Sequence, residues 1–137
     1  LAATIAAIMV ERTIVTDTEQ VEDTLHGVAE DLTANDAQAV LASFAADCPK
    51  LSQVRSLLDR VTVRSASIGA DLEVRISQLS SPPSATAFFT GRVDGRDNSG
   101  TIPYERFARK FKVKLERHDG RWLIVDYEEA PPGTRSF

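Results

Sequence analysis

Two periodicities divide the chain. Up to about residue 58 apolar positions recur every three or four residues; from Val61 onward they alternate with polar ones. Val21, Leu25, Val28 and Leu32 form one narrow stripe at about 100° per residue, which predicts a core-facing helix. Ahead of it, Thr16-Asp17-Thr18-Glu19 has the spacing of a capping box, with Thr16 as N-cap and Glu19 reaching back. Asn35 and Asp36 suit a helix end followed by a new cap. Ala37, Val40, Leu41, Phe44 and Ala45 predict a second amphipathic helix, stopped by Pro49. Leu51, Val54, Leu57 and Leu58 predict a short third.

The alternating half predicts strands at 61–68, 72–79, 85–94, 104–117 and 121–129. Ser-Pro-Pro-Ser (81–84) breaks the second from the third, and Gly95 to Gly100 reads as a polar loop before the fourth. Helices followed by strands, rather than alternating with them, indicate an α+β domain with the helices on one face of a curved, mainly antiparallel sheet.

Asp119-Gly120 marks a tight hairpin between the last two strands. Two registers stand open. A two-residue type I′ loop pairs Leu115 with Ile124 and Val113 with Asp126, turning Asp126 and Glu128 inward. A three-residue loop with a glycine bulge flips the parity, sets Phe111 opposite Tyr127 and turns Tyr127 inward. Burying an ionised carboxylate among apolar side chains is costly without a partner. A tyrosine needs a partner only for its hydroxyl, so the bulged register is the one expected. On the fourth strand Phe107, Phe111, Val113 and Leu115 share a face with Arg109, the least expected residue on an apolar stripe. It serves either as half of a salt bridge to Glu128 or Glu129, or as an anchor for an anion or carbonyl in a ligand pocket.

Composition narrows the function classes. A chain of 137 residues with 42% hydrophobic and 26% charged residues has the length of one domain and can bury a core. Its net charge of −4 opposes nucleic-acid binding, and the Lys110, Lys112, Lys114 ladder reads as a solvated sheet face. Cys48 is the only cysteine and the two histidines, His26 and His118, fall on distant elements, so no metal-ligand spacing is present and no cofactor is implied. Cys48 is expected buried and both histidines exposed. The opening run LAATIAAIMV is too short to cross a bilayer, which takes about 20 residues. Residues 1–16 therefore read as an arm or helix of the domain, as the end of a removed membrane anchor, or as both. The anchor reading places the domain outside the cytoplasm; the other leaves it free to be cytoplasmic. Residues 17–137 form the single domain.

The segment AEDLTANDAQAVLASFAADC and the ending HDGRWLIVDYE resemble the NTF2-like superfamily, including its SnoaL-like and DUF4440-like branches, over roughly residues 17–129. The resemblance implies a cone-shaped α+β domain, often dimeric, with a pocket between helices and sheet. Some members are isomerases, dehydratases or hydrolases, and others only bind ligands or partners, so the fold does not decide activity.

The expectation drawn from the residues is a non-catalytic domain. It would bind a small apolar or amphipathic ligand through Arg109, Phe111, Asp126, Tyr127 and Tyr104, or mediate assembly. The alternative is an isomerase- or dehydratase-type enzyme with Asp126 as base and Tyr104 or Arg109 stabilising an oxyanion. That enzyme requires Asp126 to enter the cavity unpaired. Phe88 and Phe89 point to opposite faces of one strand, so something is expected to cover the outer sheet face, and a homodimer through that face is the partner expected.

Overall fold

A computed structural model describes residues 2–99 and 103–133, with side chains from Thr16 onward. Three helices, α1 (Ala2–Thr33), α2 (Ala37–Ala42) and α3 (Leu51–Arg60), precede five strands: β1 (Val61–Ile68), β2 (Glu73–Ser77), β3 (Ser84–Asp97), β4 (Glu105–His118) and β5 (Arg121–Ala130). All pairings between these strands are antiparallel, in the order β1-β3-β4-β5. β2 does not pair with β1. It joins the same edge of β3 as β1 does, further along: β1 covers Gly91 to Asp97 and β2 covers Ser84 to Phe88. In the gap between them the Asp71 carboxylate accepts from the Thr90 amide (3.0 Å) and hydroxyl (2.7 Å), and the Gly69 amide donates to the Thr90 carbonyl (2.8 Å).

The first helix departs from the expected boundary. It runs unbroken through Thr16, so the Thr16–Glu19 capping box is not a helix start. No proline or glycine interrupts residues 2–26, and once a helix exists each added residue costs little. The packing of the apolar run 1–10 lies outside the described side chains. At its other end α1 closes in a Schellman motif: the Asn35 amide donates to Leu32 O, the Asp36 amide to Asp31 O, and Asn35 takes φ 55°. Asp36 then caps α2 by accepting from the Ala39 amide at 3.1 Å.

The second helix is shorter than its apolar stripe. Ser43 is the C-cap, still in the αR region, and beyond it the chain runs alongside β5: Ser43 O and the Ala45 amide both bond to Ile124. Phe44 and Ala45 thus reach the core from a strand-like link rather than from a helix. β3 likewise runs on to Asp97, because β1 pairs with it throughout 91–97; Gly95 to Asp97 are strand residues rather than the start of a loop.

The core sits at the end of the sheet nearest the β4–β5 turn. Val21 and Leu25 of α1 pack there on Ala85, Ala87, Val113, Leu115, Trp122 and Ile124. The same end holds Asp17, only 2% exposed, whose carboxylate takes bonds from Arg117 Nη1 at 3.0 Å and from Gln78 Nε2. At the opposite end the inward positions of β3 are Gly91, Val93 and Gly95. Two of these three contribute no side chain, so the space between helices and sheet is left unfilled.

Candidate functional site

That unfilled space is a cavity of about 750 Å³. α1 supplies Val28 and Leu32, α3 supplies Val54 and Leu58, and the sheet supplies Phe89 and Phe111 as its principal walls. Its size and apolar lining match small-molecule sites. Leu57 (52% exposed) and Phe107 (49% exposed) line it and face solvent, so they mark its mouth. Gly91 shapes the floor. A Cβ there would stand 2.7 Å from Cε2 of Phe111, so glycine lets the Phe111 ring lie across β3 and stack on Phe89 with centroids 5.5 Å apart.

The final hairpin follows the two-residue register at its turn and, beyond Leu115, neither of the two open registers: Phe111 faces Glu129 rather than Tyr127. Asp119 (φ 52°) and Gly120 (φ 77°) form the two-residue loop, pairing His118 with Arg121 and Leu115 with Ile124. The bulged three-residue loop expected at the turn is therefore not formed. The parity change comes instead inside β5, where Val125 is an extra residue, so that Val113 pairs with Tyr127 and Lys114 with Asp126. Trp122, Ile124 and Tyr127 all turn inward as a result, and Asp126 turns out. The physical preference was met by a different device.

Of the expected site residues, Arg109, Phe111 and Tyr127 line the cavity; Asp126 and Tyr104 do not. Asp126 forms a salt bridge with Lys50 Nζ at 3.2 Å and accepts from the Tyr127 amide at 2.8 Å. Partial desolvation raises its pKa, but the hydrogen bonds from Lys50 and the Tyr127 amide and the charges of Lys50 and Lys114 outweigh it, so the carboxyl is held below its ordinary value. A base needs the opposite shift and an unpaired position. Tyr104 lies on the outer sheet face, where the guanidinium carbons of Arg64 and Arg96 sit 4.3 and 5.1 Å from its ring centre. Arg64 also holds Asp94 there through Nε (3.0 Å) and Nη2 (2.6 Å). Tyr104 and Arg109 therefore do not converge on one point.

Tyr127 lines the cavity with its ring packed among aromatic side chains and a lysine. Phe44 meets its ring edge-on at 6.5 Å, Phe111 lies at 6.4 Å, and Lys50 Nζ lies 4.9 Å from its centre. Burial, with Glu129, Cys48 and Asp126 nearby, pushes its phenol above the ordinary value, so it stays a neutral hydroxyl at physiological pH. Arg109 is exposed at the mouth and makes no ion pair among the described residues; the anticipated salt bridge to Glu128 or Glu129 is not formed. Cys48 is buried, and His26 and His118 are exposed, the latter bonded to Glu116 at 3.0 Å. The described residues include no cluster of His, Cys, Asp and Glu able to hold a metal ion, and no helix long and apolar enough to cross a membrane.

Sequence reasoning missed the contribution of the helices to the mouth, Leu57 and Leu58 above all. It also missed the two asparagines that fix the rim. Asn98 accepts from the Thr62 hydroxyl and holds the end of α3 through Asp59 O (3.0 Å) and Arg60 O (2.7 Å). Asn35 bonds to both backbone groups of Val63. Only the short-range part of this, the helix-end signal at Asn35, was visible without coordinates.

No family model matches the chain, and no curated protein matches it by sequence. Solved structures do. An NTF2-like protein with a cystatin-like fold from Novosphingobium aromaticivorans superposes with a TM-score of 0.70 at 17% identity, over 93% of this chain and 90% of that one. A scytalone dehydratase-like protein of the same species gives 0.66 at 14%, over 92% and 99%. A ketosteroid isomerase-like protein from Erwinia carotovora atroseptica gives 0.57 at 14%, over 85% and 96%. These similarities carry the architecture and not the chemistry. With helices closing one face of an open antiparallel sheet around a pocket, the chain has the NTF2-like α+β fold.

Proposed function

We propose that this domain binds a small apolar or amphipathic ligand in the helix–sheet cavity and does no chemistry on it. The observation that carries the reading is the cavity itself: about 750 Å³, walled by leucine, valine and phenylalanine, and open between Leu57 and Phe107. The enzymatic alternative loses its base, because Asp126 lies outside the cavity in a salt bridge with Lys50. Titration with a neutral naphthylamine dye tests the proposal. Fluorescence should rise and saturate at one dye per chain. In Val93→Phe, which fills the hollow, the signal should fall at least tenfold while cooperative unfolding is retained. Absence of a saturable signal from the wild-type protein overturns the reading.

A second role, assembly, is proposed for the outer face of the sheet. Phe88 there is half-buried beneath Arg75, whose guanidinium carbon lies 5.1 Å from its ring centre, and Leu123 of β5 is half-buried too. A face with that content suits a second copy of the chain better than bulk water. Light scattering over a concentration series should give the mass of a dimer, and Phe88→Glu should give the monomer. A wild-type protein that stays monomeric at every concentration removes this role. Tethering upstream of residue 1, and with it a site of action outside the cytoplasm, remains a proposal that the upstream reading frame tests directly.

A further inference from the structure

We infer that the cavity is selective for an amphipathic monoanion, a carboxylate carrying a single apolar body, bound with its head at Arg109 and its body inward. The inference rests on the ligand-binding reading above and adds to it a charge, an orientation and a residue that sets specificity.

Arg109 has no ion-pair partner among the described residues. On β4 it belongs to the inward-facing series with Phe107 and Phe111, so its side chain leaves the sheet on the cavity side. Its partner on β3 is Gly91, which offers no side chain. On its other flank the β4–β5 ladder ends one residue short of it, at Lys110–Ala130. Cross-strand neighbours are the usual partners of a charged strand residue, and Arg109 has neither. Glu129 is the anion placed closest by register, diagonal to Arg109 and also lining the cavity, yet no ion pair joins the two.

A guanidinium with no ion-pair partner among the described residues therefore stands at the entrance of an apolar chamber, between Phe107 and Phe111. Its planar fork matches a carboxylate bidentately, and the charge-assisted bonds are stronger than neutral ones. The deeper walls present Tyr127 as a neutral phenol and otherwise mainly apolar groups. An ionised head cannot be placed there without losing its water, whereas at the mouth it keeps part of its hydration and gains the arginine. That asymmetry sets the orientation. Glu129 beside the opening limits the ligand to a single negative charge, since a second carboxylate would meet a like charge.

Displacement of the bound neutral dye by three probes built on a ten-carbon chain tests this: decanoate, 1-decanol and decyltrimethylammonium. In the wild-type protein decanoate should displace at concentrations about tenfold below decanol, with the cation weakest, and the gap should narrow when salt is raised from about 0.05 to 0.5 M. Arg109→Gln should abolish the preference and leave decanol unchanged, and Glu129→Gln should strengthen decanoate further. Equal displacement by decanoate and decanol, a preference that survives Arg109→Gln, or bound dye that none of the probes displaces overturns the inference while leaving the cavity reading intact. Failure of the dye to bind at all removes the cavity reading instead, and this inference with it.

Discussion

The side-chain amide of Asn35 forms a closed ring of two hydrogen bonds with the backbone of Val63. It donates to the carbonyl and accepts from the amide, each at 2.8 Å. Two residues earlier, the Thr33 hydroxyl accepts from the Ala66 amide at 3.0 Å. The end of α1 thereby occupies the free edge of β1, which would otherwise expose unpaired backbone groups to another chain.

Removing this ring should be expensive. Asn35→Gly keeps the left-handed backbone and deletes only the bonds, at a cost of about 2 kcal/mol for the stranded Val63 groups. Asn35→Ala adds the strain of φ 55° on a residue with a Cβ, about 1 kcal/mol more. Urea denaturation should rank wild type above Gly above Ala. If Gly unfolds at the wild-type midpoint, the ring does not stabilise the fold.

Asp17 ties the middle of α1 to the end of the sheet nearest the β4–β5 turn. Asp17→Ala leaves Arg117 and Gln78 without their shared acceptor and should destabilise the protein by about 2–3 kcal/mol, less than a fully buried pair because Arg117 is partly open to water. Arg117→Met keeps much of the apolar stem near the Trp122 ring but leaves Asp17 buried with Gln78 alone, and it should cost at least as much. Guanidinium unfolding followed by tryptophan fluorescence reads both.

Asp126 links stability to pH. Its carboxyl titrates below the ordinary range in the folded protein, so its contribution is fully present above the unfolded value of about 3.9 and is lost as pH falls through the lower folded value. Asp126→Asn should be less stable than wild type at pH 7, and the difference should shrink steadily as the protein is acidified below the unfolded value. A difference that stays constant on acidification would assign the effect to packing rather than charge.

Gly91 and Phe111 should behave as a coupled pair. Gly91→Ala forces the Phe111 ring from its place over β3, so stability should fall by about 1–2 kcal/mol and dye affinity with it. Phe111→Leu in the same chain should recover part of both losses. A double-mutant cycle with no interaction term would show that the ring moves without cost.

Much of the architecture was legible because local patterns and global packing agree. The narrow stripe of Val21, Leu25 and Val28 does face the core, and all five strands fall within a few residues of their expected bounds. The helix start misplaced at Thr16 is a local matter, since nothing upstream of it stops the helix. Whether Phe44 is helical and which way Asp126 points are instead decided by contacts made far along the chain. The bulge at Val125 is the clearest case, since it turns Tyr127 inward and Asp126 outward, the arrangement that avoids burying a carboxylate. Arg109 stands out in the sequence as a charge on an apolar stripe. That it would lack partners depended on Gly91 opposite and on where β5 ends, neither of which a single strand pattern displays.

The Asp71 carboxylate has a consequence of its own. Where β1 stops and β2 has not yet begun, this side chain stands in for the missing rung of the ladder, and the hydroxyl and amide of Thr90 keep it ionised to lower pH than usual. The sheet is thus closed at that seam by a group that acid can switch off. Strong acidification should unzip the margin there first, parting the two short strands from their long neighbour before the body of the sheet gives way.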